Sequence, residues 1–229
     1  MLCDFHTHST LSDGSLSPME LIHRSVRQGY SALGITDHMG VGGLESYLAV
    51  LVKECQVAEA HWGIMALPGV ELTHLPPGVI GEAARTAKEL GARLVVVHGE
   101  TIVEPVPAGT NLAALSCPDV DVLAHPGLLT PEEARLAAAN GIFLEISARK
   151  GHCLGNGRVV TLARKAGARL LINSDSHDPG DLLTVDFSIS VAMGAGLDRL
   201  EVQEDIPANV AAFLERLGLP QDRLGTPAA

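Results

Sequence analysis

Short apolar runs alternate with longer stretches of helical period along the whole chain. The runs Leu2–His6, Ala32–Thr36, Ile64–Leu72, Arg93–His98, Val120–His125, Ile142–Ile146 and Leu170–Asn173 have the length and the Val, Ile and Leu content of strands covered on both faces. Between them lie helical segments with readable starts. Ser17-Pro18-Met19-Glu20 places an N-cap, a proline at the first helical position and an acid in the first turn, and Thr130-Pro131-Glu132-Glu133 repeats that signature. Gly29, Gly91, Gly141 and Gly167 stand where helices should end, each just before the next strand. Strand and helix in steady alternation imply a parallel sheet. Seven such units without an obvious linker favour a closed or nearly closed α/β barrel, with a single domain over residues 1–229. A last helix is expected over about Pro207–Leu217, within a C-terminal helix and short tail spanning 205–229.

Composition fits this picture. A chain of 229 residues, 46% hydrophobic and 19% charged, can bury a sizeable core of the barrel type. Aromatics are only 3%, so that core must be built from Ala, Val, Leu and Ile. The net charge of −11 argues against a general attraction to phosphate backbones, so long nucleic acid is not an expected partner. Cys3, Cys55, Cys117 and Cys153 are scattered, without a CxxC pair, and read as reduced thiols of a cytoplasmic protein. No basic start followed by an apolar stretch marks a signal peptide, and no run approaches the ~18–20 apolar residues of a membrane span.

The placement of the histidines carries the chemistry. His6 and His8 end the first strand and His38 the second; Glu71 ends the third, His98 the fourth, His125 the fifth, and Asp175 with His177 the last. In a parallel barrel all strand C-termini lie on one face, where active sites form. Eight metal-capable side chains from six strand ends therefore converge on one mouth. His23 and His61 fall inside helical stretches and read as ordinary surface residues. His6-Thr7-His8 and Asp175-Ser176-His177 are i, i+2 pairs, which extended backbone points to one side. Imidazoles and carboxylates without thiolates suit Zn²⁺, Mn²⁺ or Fe²⁺ and do not choose among them. Eight ligands exceed one tetrahedral ion, and a carboxylate such as Glu71 can bridge two ions about 3.5–4 Å apart.

These residues sit in motifs that resemble a known family. Asp4-Phe5-His6-Thr7-His8-Ser9, Ser12-Asp13-Gly14, Ile35-Thr36-Asp37-His38, Gly69-Val70-Glu71, Ala124-His125-Pro126-Gly127 and Ser174-Asp175-Ser176-His177 look like successive motifs of the PHP (polymerase and histidinol phosphatase) family, covering about residues 2–185. The resemblance implies a distorted, TIM-like (β/α)7 barrel with two or three divalent metal ions. It implies a first metal on His6, His8, Glu71 and Asp175, a second on Glu71, His98 and His125, and a third on Asp13, His38 and His177. Asp13 stands where some members carry histidine. The chain looks most like small stand-alone, histidinol-phosphatase-like phosphoesterases.

The expected reaction is hydrolysis of a small phosphomonoester of the histidinol-phosphate kind, with the ions making hydroxide available near neutral pH. Asp175, His177 and the bridging Glu71 are the catalytic candidates. Cationic groups should come from loops on the same face. Arg149, Lys150 and His152 follow the sixth strand, and Arg149 suits bidentate phosphate contact best. His74 is placed as ligand or substrate contact, Asp37 as an orienting group for an imidazole, and Asn156 as a phosphate contact or helix cap. Gly40-Val41-Gly42-Gly43 lacks the Lys-Ser/Thr of a P-loop and reads as a flexible loop at the mouth. Two other readings compete: a phosphodiesterase or nuclease using the same cluster, and a non-catalytic metal-binding or scaffold protein.

Overall fold

A computed structural model describes residues 2–219. Met1 and residues 220–229, with the expected tail, lie outside the described residues. The strands are β1 (Leu2–Asp4), β2 (Tyr30–Ile35), β3 (His38–Met39), β4 (Met65–Leu72), β5 (Leu94–His98), β6 (Val122–Ala124), β7 (Phe143–Ser147) and β8 (Leu170–Asn173). The helices are α1 (Pro18–Arg27), α2 (Leu44–Trp62), α3 (Ile80–Glu89), α4 (Thr110–Leu115), α5 (Pro131–Asn140), α6 (Asn156–Ala166), α7 (Val185–Gly194) and α8 (Ile206–Arg216). Strands run β1-β2-β4-β5-β6-β7-β8, all parallel, a nearly closed seven-strand barrel. The short β3 is an addition to the seven expected strands and lies beside β4, pairing His38 with Glu71. Helix α4, only six residues long, is the shortest helix of the expected strand–helix alternation.

The seam between β1 and β8 closes by two devices. Low in the barrel, side chains do the pairing. Asn173 Oδ1 accepts the Phe5 N–H at 3.0 Å, and the Asp4 carboxylate accepts the Ser174 N–H at 3.1 Å. Near the mouth the backbone takes over, with Asp175 N–H to His6 O and His8 N–H to Ser176 O, both 2.9 Å.

The helix boundaries follow the local chemistry. Ser17 caps α1 by accepting the Glu20 N–H, and Thr130 with Glu133 forms a full capping box on α5. Gly141 and Gly167 end α5 and α6 in the left-handed conformation, which a side chain would disfavour.

Alternation along each strand sorts two apolar layers. Val95 and Val97 of β5 pack outward under the helices, whereas Leu94 and Val96 fill the barrel interior. Interior positions in β4, β6, β7 and β8 include Met65, Leu67, Val122, Phe143 and Leu171. Helix α8 plugs the floor of the barrel, placing the Phe213 ring 4.7 Å from Phe5 and 4.9 Å from Phe143. The same period of two carries His98, Glu71, Glu145 and Asn173 onto the interior face above that apolar layer. All four are buried. Burial there is set by the fold, and so is the polar character. Among the described residues, no helix is long and apolar enough to cross a membrane.

Candidate metal centre

Glu71 lies at the centre of the mouth. Its Oε1 is 3.3 Å from His6 Nε2 and 3.4 Å from His125 Nε2; its Oε2 is 2.5 Å from His38 Nδ1 and 3.8 Å from His8 Nε2. Asp175 mirrors it from β8. Asp175 Oδ1 is 3.2 Å from His8 Nε2, and Oδ2 is 3.8 Å from His125 Nε2. Nearer solvent, Asp13 Oδ1 is 3.2 Å from His177 Nε2 and Asp13 Oδ2 is 3.8 Å from His38 Nε2. Asp13 is exposed, yet it faces the cluster.

The donor set fits divalent cations. His6 Nε2, both ring nitrogens of His8, Glu71 Oε1 and His125 Nδ1 are buried without a hydrogen-bond partner. Native proteins rarely leave so many buried polar atoms unpaired in one place, and a cation satisfies lone pairs directly. Ligand atoms of His6, Glu71 and His125, of His6, His8 and Asp175, and of His8, Asp13, His38 and His177 each lie within 4.8 Å of one another. Atoms bound at about 2.0–2.1 Å to a tetrahedral ion sit about 3.3 Å apart, which is the scale of these spacings.

The backbone is also unusual here. Among the described residues, the non-glycine positions with positive φ are His74 (52°), His125 (25°) and Asp175 (54°), and all three belong to the mouth. Such conformations cost free energy and persist where the surroundings impose them. Two residues beyond His125 the chain makes a close approach at Gly127. Gly127 has φ +59° and its backbone packs against Glu100, leaving no room for a Cβ, so the loops after β5 and β6 are locked together.

Electrostatics follow from burial and crowding. Burial opposes charge on His6, but the carboxylates of Glu145, Glu71 and Asp175 outweigh it and hold its pKa well above the ordinary value. Burial and then the neighbouring His6 push His8 well below the ordinary value. Glu71 stays well below the usual carboxylate range, because His6, His38 and His98 overcome its burial. Burial lifts Asp175 to about 7, against the pull of His6 and His125. A cation entering the metal-free cluster must displace protons from His6 and Asp175, so its binding strengthens as pH rises.

Several residues are placed otherwise than the sequence suggested. Strand β1 stops at Asp4, so His6 and His8 lie just beyond it, and Asp4 turns the chain by accepting the His6 N–H at 3.3 Å. Asp37 orients no imidazole; it accepts hydrogen bonds from Ser9 N–H, Ser9 Oγ and Ser12 Oγ, each at 2.7 Å. Thr73 serves His38 instead, at 2.8 Å from Nδ1. Asn156 is no cap: its amide pairs with both backbone groups of Ser147. The loop around Gly40–Gly43 is a short helical turn that leads into α2. Arg149 sits at the edge of the cluster, donating to Asp175 O at 3.1 Å, while Lys150 is exposed. His152 is buried with its ring 4.2 Å from His125, and His74 is exposed beside His98. His98 itself turns toward Glu104, its Nε2 3.1 Å from Oε2, and groups with His74 and Glu104, whereas His6 groups with Glu71 and His125.

Two carboxylates escaped sequence reasoning. Glu145 accepts from His6 Nδ1 at 2.7 Å, from the His125 N–H at 3.0 Å and from Asn173 Nδ2 at 2.9 Å. It therefore fixes the His6 ring so that Nε2 faces Glu71. Its signal was an acid at an inward position of the apolar run Phe143-Leu144-Glu145-Ile146. Glu104 lies in the loop between β5 and α4, in a run, Glu104-Pro105-Val106, that resembles a subgroup of the small phosphoesterases without assigning it a role in the site.

A parallel β/α barrel whose mouth gathers histidines around two buried carboxylates defines a divalent-metal centre of the type that serves hydrolysis. The chain belongs to the PHP domain family, whose model matches residues 4–97. An uncharacterized protein of Methanocaldococcus jannaschii is 42% identical over 218 residues, covering 95% of this chain and 100% of that protein. A probable phosphatase of Edwardsiella ictaluri is 25% identical, with 95% of each chain covered. The DNA polymerase/3'-5' exonuclease PolX of Bacillus subtilis is 28% identical over 193 residues, and the match spans only 34% of its length. Among solved structures, a histidinol phosphate phosphatase of Lactococcus lactis, complexed with zinc, L-histidinol and phosphate, shares the fold at a TM-score of 0.55, with 15% identity, 95% of this chain and 94% of that chain.

Proposed function

We propose that this protein is a metal-dependent phosphoesterase that hydrolyses a small phosphomonoester of the histidinol-phosphate kind. The observation that carries the reading is the set of buried, unpartnered ligand atoms on His6, His8, Glu71 and His125. His6, His8, Glu71, His125 and Asp175 would hold two ions, and Asp13, His38 and His177 a third. Divalent ions bound there lower the pKa of water and offset charge on phosphoryl oxygens. Without cations the carboxylates Glu71, Asp175, Asp13 and Glu104 would repel a phosphate from this mouth.

The chain's own groups divide the remaining work. Arg149, half-buried beside Asp175, has guanidinium N–H groups left to bind phosphoryl oxygens. The carbonyl of Asp175 receives the Nδ1 proton of His177 at 3.0 Å, so His177 Nε2, 3.2 Å from Asp13 Oδ1, can hold the third ion or, where only two ions bind, exchange a proton at the solvent edge. With two ions bound, His177 is thereby suited to protonate the leaving alkoxide, and Asp175 to position the nucleophile. His152, held through Nδ1 by Thr101 at 3.0 Å, lines the opposite side of the mouth, where a leaving group would lie.

The test is a panel of monoesters and diesters, including histidinol phosphate, sugar phosphates and short oligonucleotides, with Mn²⁺- or Zn²⁺-loaded protein. An Asp175→Ala, His177→Ala variant runs alongside. Monoester turnover that vanishes in the variant supports the proposal. The similarity to a polymerase with exonuclease activity favours diester cleavage as the second reading, and variant-sensitive turnover of diesters alone would establish it instead. No variant-sensitive turnover on any ester would leave the metal-binding protein as the better description.

A further inference from the structure

Helix α7 is seated on the barrel unlike its neighbours. Helix α1 buries Leu21 and Ile22, α3 buries Ile80 with three alanines, and α6 buries Val159 and Val160, whereas α7 buries Ala192 alone. Its large apolar side chains Val185, Phe187, Ile189 and Met193 are between 38% and 52% exposed. Leu154, 67% exposed, adjoins them across a groove that it lines with Phe187 and Val191. We propose that this face of α7 is the contact between two copies of the chain in a two-fold homodimer.

The period of the helix sorts its two sides. Ser188, Val191 and Ala192 point inward, so the crest carries Asp186 and Ser190. Val185, Ile189 and Met193 lie along one flank of that crest and Phe187 along the other. Each flank borders a cleft. The first is shared with Val202 and, at the start of α8, Ile206; the second is shared with Cys153 and Leu154. An apolar ridge between open clefts is the shape against which a second helix packs.

The patch also has the size of an interface. At roughly 150–200 Å² for a full side chain, the five residues expose on the order of 400–500 Å². That is a little over half of the ~800 Å² that each partner of a standard interface buries, which is the usual apolar share.

Charge selects a second copy as the partner. A chain of net charge −11 repels its own kind except where its surface is locally balanced. Along α7 that balance has a direction. Asp186 stands near the start of the helix and Arg199 beyond its end, both exposed and without an ion pair among the described residues. A two-fold axis across the middle of α7 runs the two helices antiparallel, so the acidic end of each faces the basic end of its mate. A patch matched to its own reverse is what an isologous contact requires, and opposed helix dipoles favour it. Phe187 also lines the cavity that holds Arg149 and Lys150, so the contact reaches the edge of the mouth. It does not rest on the phosphoesterase reading, since the chain pairs or stays single whatever it hydrolyses.

The test is sedimentation equilibrium of the full chain over micromolar concentrations. It compares the wild type, Ile189→Glu, the single variants Asp186→Arg and Arg199→Asp, and those two combined. Circular dichroism of each confirms folding, which substitutions at exposed positions should leave intact. The proposal expects twice the chain mass for the wild type and the single-chain mass for Ile189→Glu. Each single charge reversal sets like charges face to face and should weaken association about tenfold, and the combination should restore it. A wild type of single-chain mass overturns the proposal and leaves the face to an unlike partner. A dimer indifferent to Ile189→Glu, or a combined variant no tighter than either single one, overturns it too. Should Ile189→Glu misfold, the charge variants decide alone.

Discussion

The two ends of the barrel are equally buried and chemically opposite. At the floor, Phe5, Phe143 and Phe213 close ring against ring, all at or below 1% exposure. At the mouth, His6, Glu71 and Glu145 are at 0%. Every floor group is satisfied by contact, whereas mouth atoms on His6, His8, Glu71 and His125 lack partners. Burial that stabilises an aromatic ring costs free energy for an unpaired imidazole or carboxylate. The floor maintains the fold, and the mouth draws on that stability to hold a site whose partner must come from outside the chain.

Substitution should separate the two ends cleanly. Glu71→Gln removes the central carboxylate and should lower turnover by about three orders of magnitude or more at saturating metal, while circular dichroism stays native. Phe213→Ala should do the reverse. Losing a buried aromatic costs about 3–5 kcal/mol, read as a lower denaturation midpoint, with turnover of the folded fraction within about twofold of wild type.

Glu145 lies between the ends and sharpens the comparison. Glu145→Gln keeps the shape but loosens His6, and metal affinity should fall about 10–100-fold by titration calorimetry. It should also change the acid limb of metal-free stability. In the folded protein, His6 leads the groups that overcome burial and hold Glu145 at about 2, against an ordinary 4.5. A depressed carboxyl contributes stability that is fully present above 4.5 and is lost as pH falls toward 2. Chemical denaturation of the metal-free wild type should therefore weaken between pH 4.5 and 2, and less steeply in Glu145→Gln. The smallest effect is expected at the edge of the mouth. Arg149→Ala should raise KM about tenfold with less change in kcat, and Arg149→Lys should recover part of that loss, because a point charge replaces a planar fork.

The contrast also explains what was legible in the sequence. Apolar runs, helix caps such as Thr130 with Glu133, and histidines at strand ends are local signals, and they led to the barrel and most of its mouth. Strand β3 is too short to have a period and left no pattern, and α4, with fewer than two turns, follows only from the alternation of strand and helix. Glu145 was hidden in plain view within a strand, because its role depends on facing His6 across 139 positions of chain. Glu104 depends on a loop geometry set by Glu100, which accepts the Gly109 and Asn111 N–H groups. Asp37 misled for a related reason: adjacency to His38 in sequence placed it on the other side of the backbone, among serines.

If the unpartnered atoms of the mouth are ligands for cations, metal must stabilise the folded chain through them. Thermal unfolding of the chelator-stripped protein across a Zn²⁺ or Mn²⁺ titration tests it most directly, beside a Glu71→Gln, Asp175→Asn variant. A ligand that binds only the folded state raises Tm with concentration. The wild type should show a saturable rise that is largely lost in the variant. An unchanged wild-type Tm, or an equal rise in both proteins, would contradict it.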